Sequence, residues 1–120
     1  MHCREAVVWK RSMEVALELY GLVRFLPREV TYGMRAQMTR AAFAVPGNIA
    51  EGWTRESKVE KRQFLAIAQG SPAELETQLT LCEEIGWLSV VQTKALRECI
   101  EETSRMLTAL RQRRRLQIRS

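Results

Sequence analysis

At 120 residues, with 19 Lys and Arg against 14 acids, the chain holds one domain, 1–120, with a real core, and is too short for two independent ones. Aspartate is absent, Asn48 is the only asparagine, and the other turn formers are six glycines and three prolines, a composition that favours helix over strand. No run of about 18 apolar residues exists to cross a bilayer, and the N-terminus lacks the uncharged core of a secretory signal, so a cytoplasmic protein with no membrane partner is expected.

The first helix is expected from about Arg4 or Glu5 to Arg24. Its stripe is Trp9, Met13, Ala16, Leu17 and Tyr20, at i, i+4, i+7, i+8 and i+11. Pro27 ends it. A second helix begins near Thr31 or Tyr32 and runs to Gly52, which reads as a stop signal. Its apolar positions Met38, Ala41, Ala42, Val45 and Ile49 keep helical spacing although Pro46 lacks the N–H that residue 42 would receive, a cost of about 3 kcal/mol or more.

After a connection from Trp53 to Glu56, Ser57-Lys-Val-Glu60 has the form of a capping box and opens a third helix. That helix carries Phe64, Leu65, Ile67, Ala68, Leu75, Leu79 and Cys82 to Gly86, and Gly70-Ser-Pro72 is expected to bend it without splitting it. Ser89-Val-Val-Gln92 offers another capping box. The fourth helix then presents Ala95 or Leu96, Cys99 or Ile100, Thr103, Met106 or Leu107, and Leu110. Four amphipathic helices with short connections predict an all-α, antiparallel up-down four-helix bundle with bent second and third helices.

Charge is unevenly spread. Residues 1–62 carry 11 bases and 7 acids, residues 63–104 carry 2 and 7, and residues 105–120 carry 6 and none. The basic tail of about 111–120, with Arg111, Arg113, Arg114 and Arg115, reads either as a phosphate-binding element or as a solvated helix end that offsets the helix dipole.

The sole histidine, His2, supports no catalytic triad, Cys/His pair or Glu-x-x-His metal motif, and no glycine-rich nucleotide loop occurs. Cys3, Cys82 and Cys99 form no C-x-x-C pair, so reduced thiols are expected, and Glu74, Glu76, Glu83 and Glu84 read as solvated or salt-bridged carboxylates rather than a metal site. Neither an enzyme nor a cofactor is expected.

Several motifs coincide: Tyr32-Gly, then Gln37-Met-Thr-Arg-Ala-Ala-Phe-Ala-Val-Pro-Gly-Asn-Ile-Ala-Glu-Gly52, then Arg55-x-Ser57-x-x-Glu60, Phe64-Leu65, and Gly70-Ser-Pro-Ala-Glu-Leu-Glu-Thr-Gln-Leu79. Over nearly the whole chain they resemble the four-helix-bundle family of proteins encoded in intervening sequences of large-subunit ribosomal RNA genes, which includes the accessory variability determinant of diversity-generating retroelements. The resemblance implies a homopentameric barrel with a basic surface, which the retroelement members use to bind nucleic acid and a reverse transcriptase. The chain departs from the family pattern at Thr39, where arginine is common, at Gly47, where serine is common, and at Pro72, where leucine is common. Thr39 weakens the carry-over of nucleic-acid binding.

Within the motif, the Asn48 amide is expected to answer backbone groups freed by Pro46, and Glu51, Glu74 and Glu76 to pair with Arg40 or Arg55. Trp53 and Trp87 fall at helix ends, where they suit either an oligomer interface or a cap on the core. Candidate RNA- or DNA-binding residues are Arg35, Arg40, Arg55, Lys58, Lys61 and Arg62, expected near the connection between the second and third helices, together with the terminal arginines. The expected function is a homopentameric nucleic-acid-binding accessory protein. The rival is a protein-interaction scaffold without nucleic-acid binding. A pentamer contact is expected on helix surface beyond the four core stripes.

Overall fold

The computed structural model describes residues 3–119; His2 and the Cys3 side chain fall outside that description. Four α-helices and no strand occur among the described residues: α1 (Cys3–Leu22), α2 (Ala36–Trp53), α3 (Lys58–Ile85) and α4 (Val90–Arg119). After α1 a 3-10 turn over Val23–Phe25 ends at Leu26, which takes the extended conformation (φ −71, ψ 146) that a following proline imposes. A second 3-10 turn (Arg28–Val30) and a π-helical turn (Thr31–Arg35) then wind into α2.

The expected N-caps form at Ser57 and Ser89. Ser57 Oγ accepts from the Glu60 N–H at 3.3 Å, and Ser89 and Gln92 make a reciprocal box, with N–H to side-chain distances of 2.9 and 3.1 Å. Gly86 closes α3 in the left-handed region (φ 93), and its N–H reaches the carbonyls of Cys82 and Glu83. Pro46 and Pro72 both lie inside helices, and α3 continues through Gly70-Ser-Pro72 as one element. The basic tail belongs to α4, which stays helical to Arg119.

Contacts across the helices run antiparallel. Met38 meets Cys82 where α2 begins and α3 ends, while Gly52 meets Phe64 at the other end of the pair. Arg114 bonds Glu5 and Arg11 bonds Glu102, which sets α1 against α4. Gln69 donates to the Ser104 carbonyl at 3.2 Å, and Arg97 donates to the Thr80 hydroxyl and the Glu83 carboxylate, each at 2.9 Å, which sets α3 against α4.

The core has two halves. One joins Val15, Leu19, Met38, Leu75, Leu79, Cys82 and Ile100, and the other joins Val8, Val45, Ile49, Leu65, Ala68 and Leu107. Buried Ser12, Ser71 and Thr103 fall between the halves along their helices. The Ser12 and Thr103 hydroxyls satisfy themselves on the carbonyls of Trp9 and Cys99.

The structure corrects the expected faces of two helices and the roles of two residues. The buried face of α1 is Glu5, Val8, Ser12, Val15, Ala16 and Leu19, whereas Leu17 and Tyr20 are each 67% exposed, because partnered polar residues complete a face that looks broken in sequence. Ile67 on α3 is likewise exposed. Gly52 does not stop α2, which continues to Trp53; it is buried, and a Cβ there would lie 2.8 Å from the Phe64 Cβ. Asn48 is half-buried, and its amide donates to the Ala44 carbonyl at 2.8 Å rather than to the Ala42 carbonyl opposite Pro46.

Gly52→Ala should therefore destabilise the fold by about 1–3 kcal/mol in urea denaturation, as overpacking does. Gly21→Ala, in open space near the end of α1, should leave stability unchanged or raise it by up to about 1 kcal/mol.

Candidate nucleic-acid interface

Antiparallel packing brings the start of α1, the α2–α3 connection and the end of α4 to one end of a molecule 50 Å long. A small cavity there is lined by Glu5, Ile49, Gly52, Trp53, Lys61 and Leu65. Residues 51–62 bring four cations against three acids, and residues 105–119 bring six against none. The excess of positive charge is therefore concentrated at this end, mostly on α4.

The candidate cations divide by what they touch. Arg114 bonds Glu5, whose side chain is 8% exposed, and Gln117; burial pushes the Arg114 guanidinium down from its usual range. Arg55 pairs with Glu51 at 2.5 Å and lies over the Phe64 ring. Lys61 donates to the Trp53 carbonyl at 2.9 Å and covers that indole, while Arg111 donates to Gln69 at 2.7 Å. Arg62 is half-buried. Lys58, Arg113 and Arg115 are exposed, and no ion pair holds them among the described residues.

Arg35 and Arg40 do not join this cluster. The 18-residue α2 separates Arg35 from the α2–α3 connection by about 27 Å, and Arg35 instead donates to the Val23 carbonyl at 2.9 Å. Arg40 is exposed on the outer side of α2. Of the expected glutamate pairs, only Glu51 with Arg55 forms: Glu74 accepts from Gln78, and the middle of α3 places Glu74 and Glu76 far from Arg55.

The remaining polar chemistry is structural. Thr93 and Arg97 hold the Glu83 carboxyl below its usual range. Burial pushes the Cys82 thiol up and the Cys99 thiol up to about 11, so both stay protonated at neutral pH. Trp87 packs against the core at one end of the bundle, and Trp53 is half-buried under Lys61 at the other. Sequence reasoning missed Glu5, whose one signal is a lone acid opposite the arginine-rich end of α4.

The 23S rRNA-intervening sequence protein family is matched over residues 4–109. A crystal structure of a protein of unknown function from the S23 ribosomal protein family of Bacteroides thetaiotaomicron is similar in fold, with a TM-score of 0.83 and 24% identity over 91% of this chain and 98% of that one. No curated protein matches the chain. No helix among the described residues is long and apolar enough to cross a membrane.

Arg114→Ala leaves the Glu5 carboxylate buried and without its arginine, and should cost about 3–5 kcal/mol in urea denaturation. Arg113→Ala and Arg115→Ala, on exposed positions, should each stay within about 0.5 kcal/mol of the parent.

Proposed function

The chain belongs to the 23S rRNA-intervening sequence protein family, and on that basis we propose a non-enzymatic homo-oligomer, pentameric on the family resemblance, that binds RNA or DNA through its phosphates. The observation that carries this reading is the convergence of cations from the α2–α3 connection and the end of α4 at one end of the bundle. Guanidinium groups remain charged and fork onto phosphate oxygens, so Arg113 and Arg115 can engage a backbone without first breaking an internal pair. Such contacts position a nucleic acid and do not read its bases, so binding is weakly sequence-selective.

A second reading, a scaffold for a protein partner, is favoured by the apolar groove between α1 and α2 that Leu17 and Phe43 leave open. Copurification of a protein that survives nuclease and high salt would support it.

Fluorescence anisotropy of labelled RNA and DNA across a salt series tests the first reading. Affinity should fall steeply with salt, and the combined Arg113→Ala and Arg115→Ala variant should flatten the log–log slope by about 1 for each phosphate no longer engaged. Absence of binding at about 50 mM salt would refute it.

A further inference from the structure

Several exposed apolar faces are left over among the described residues once the core is formed, a groove between α1 and α4 lined by Val7, Met106 and Ala109 among them, and two of these faces carry opposite charge. The first is a groove lined by Trp9, Met13 and Leu17 of α1 and by Phe43, Pro46 and Ala50 of α2, with room for about 380 Å³. Leu17 is 67% exposed and Phe43 50%. The second is a ridge on α3, where Ile67, Leu81 and Ile85 are about half exposed and recur at i, i+14 and i+18, on one side of the helix.

Charge distinguishes the two faces. From Thr31 to Ala50 there is no acid, and Arg40 stands exposed one turn from Phe43; Arg24 and Arg35 line the continuation of the groove past Tyr20. On α1, Glu14 is turned to Arg11, and neither Glu14 nor Glu18 lines the groove. From Gln63 to Thr93 there is no Lys or Arg, and exposed Glu74 lies on the ridge between Ile67 and Leu81. A basic apolar groove and an acidic apolar ridge are complementary, and every copy carries one of each.

We infer that the α3 ridge of one copy docks in the α1–α2 groove of the next. The inference rests on the homo-oligomer reading above and names the surfaces that make it. Because the two faces differ, the contact is head-to-tail, and it generates a ring when the rotation closes. In a closed ring all basic ends lie at one level along the axis, so their phosphate contacts act together.

The test uses light scattering on the full chain and two variants. Leu17→Glu with Phe43→Glu breaks the groove, and Ile67→Lys with Leu81→Lys breaks the ridge. The parent should be oligomeric and each variant monomeric with helicity retained by circular dichroism. An equimolar mixture of the two should reach the mass of two copies and no more, because one intact groove meets one intact ridge. Leu17→Ser and Leu81→Ser, which are milder, should each weaken assembly in dilution series. Either variant assembling like the parent, or a mixture that stays monomeric, would overturn this contact while leaving the homo-oligomer reading in place. A monomeric parent would overturn that reading itself.

Discussion

Helix α2 packs on α3 in a single register, and the other two helices are seated on that pair. At Gly52 the two helices approach so closely that a Cβ would meet Phe64, and at the far end of the pair Met38 meets Cys82. Between these points the buried prolines Pro46 and Pro72 sit inside their helices with tertiary packing around them, which offsets the hydrogen bonds that proline cannot donate. Once that pair is set, the short connections bring α1 and α4 alongside, and the ends of four helices become two ends of one molecule.

Polar groups then settle how α1 and α4 seat. Glu5 is buried against Arg114, and Arg11 bridges Glu14 and Glu102, so α4 is tied to α1 at two levels. A buried ion pair of this kind contributes little net stability over an apolar pair, but a slipped register would strand both charges. The same contact removes Arg114 from the pool of cations available to a ligand. What remains at that end is a set of exposed bases, beside a groove of about 240 Å³ between α1 and α4 that Val7, Met106 and Ala109 line and Arg4 and Arg113 flank.

Helix positions are legible in the sequence because punctuation and periodicity agree: Ser57, Gly86 and Ser89 mark ends that the structure reproduces. The core of α4 is legible for the same reason. The face of α1 is not, because Glu5 and Ser12 are buried with partners on other residues or on the backbone, and the larger Leu17 and Tyr20 draw the stripe to the wrong side. Gly52 is misread because a close approach between helices leaves no local signal that separates it from a stop. The candidate cations are individually visible, but only the antiparallel register shows that Arg35 and Arg40 stand apart from Lys58, Arg62 and the end of α4.

If nucleic acid binds at the basic end, Lys58 and the exposed arginines of α4 are the contacting groups. The sharpest check is to crosslink a photoreactive oligonucleotide to the full chain and map the modified peptides. Crosslinks should fall in peptides spanning residues 55–62 and 111–119. Crosslinks confined to the opposite end, around Gly86 and Ser89, would be incompatible with binding there.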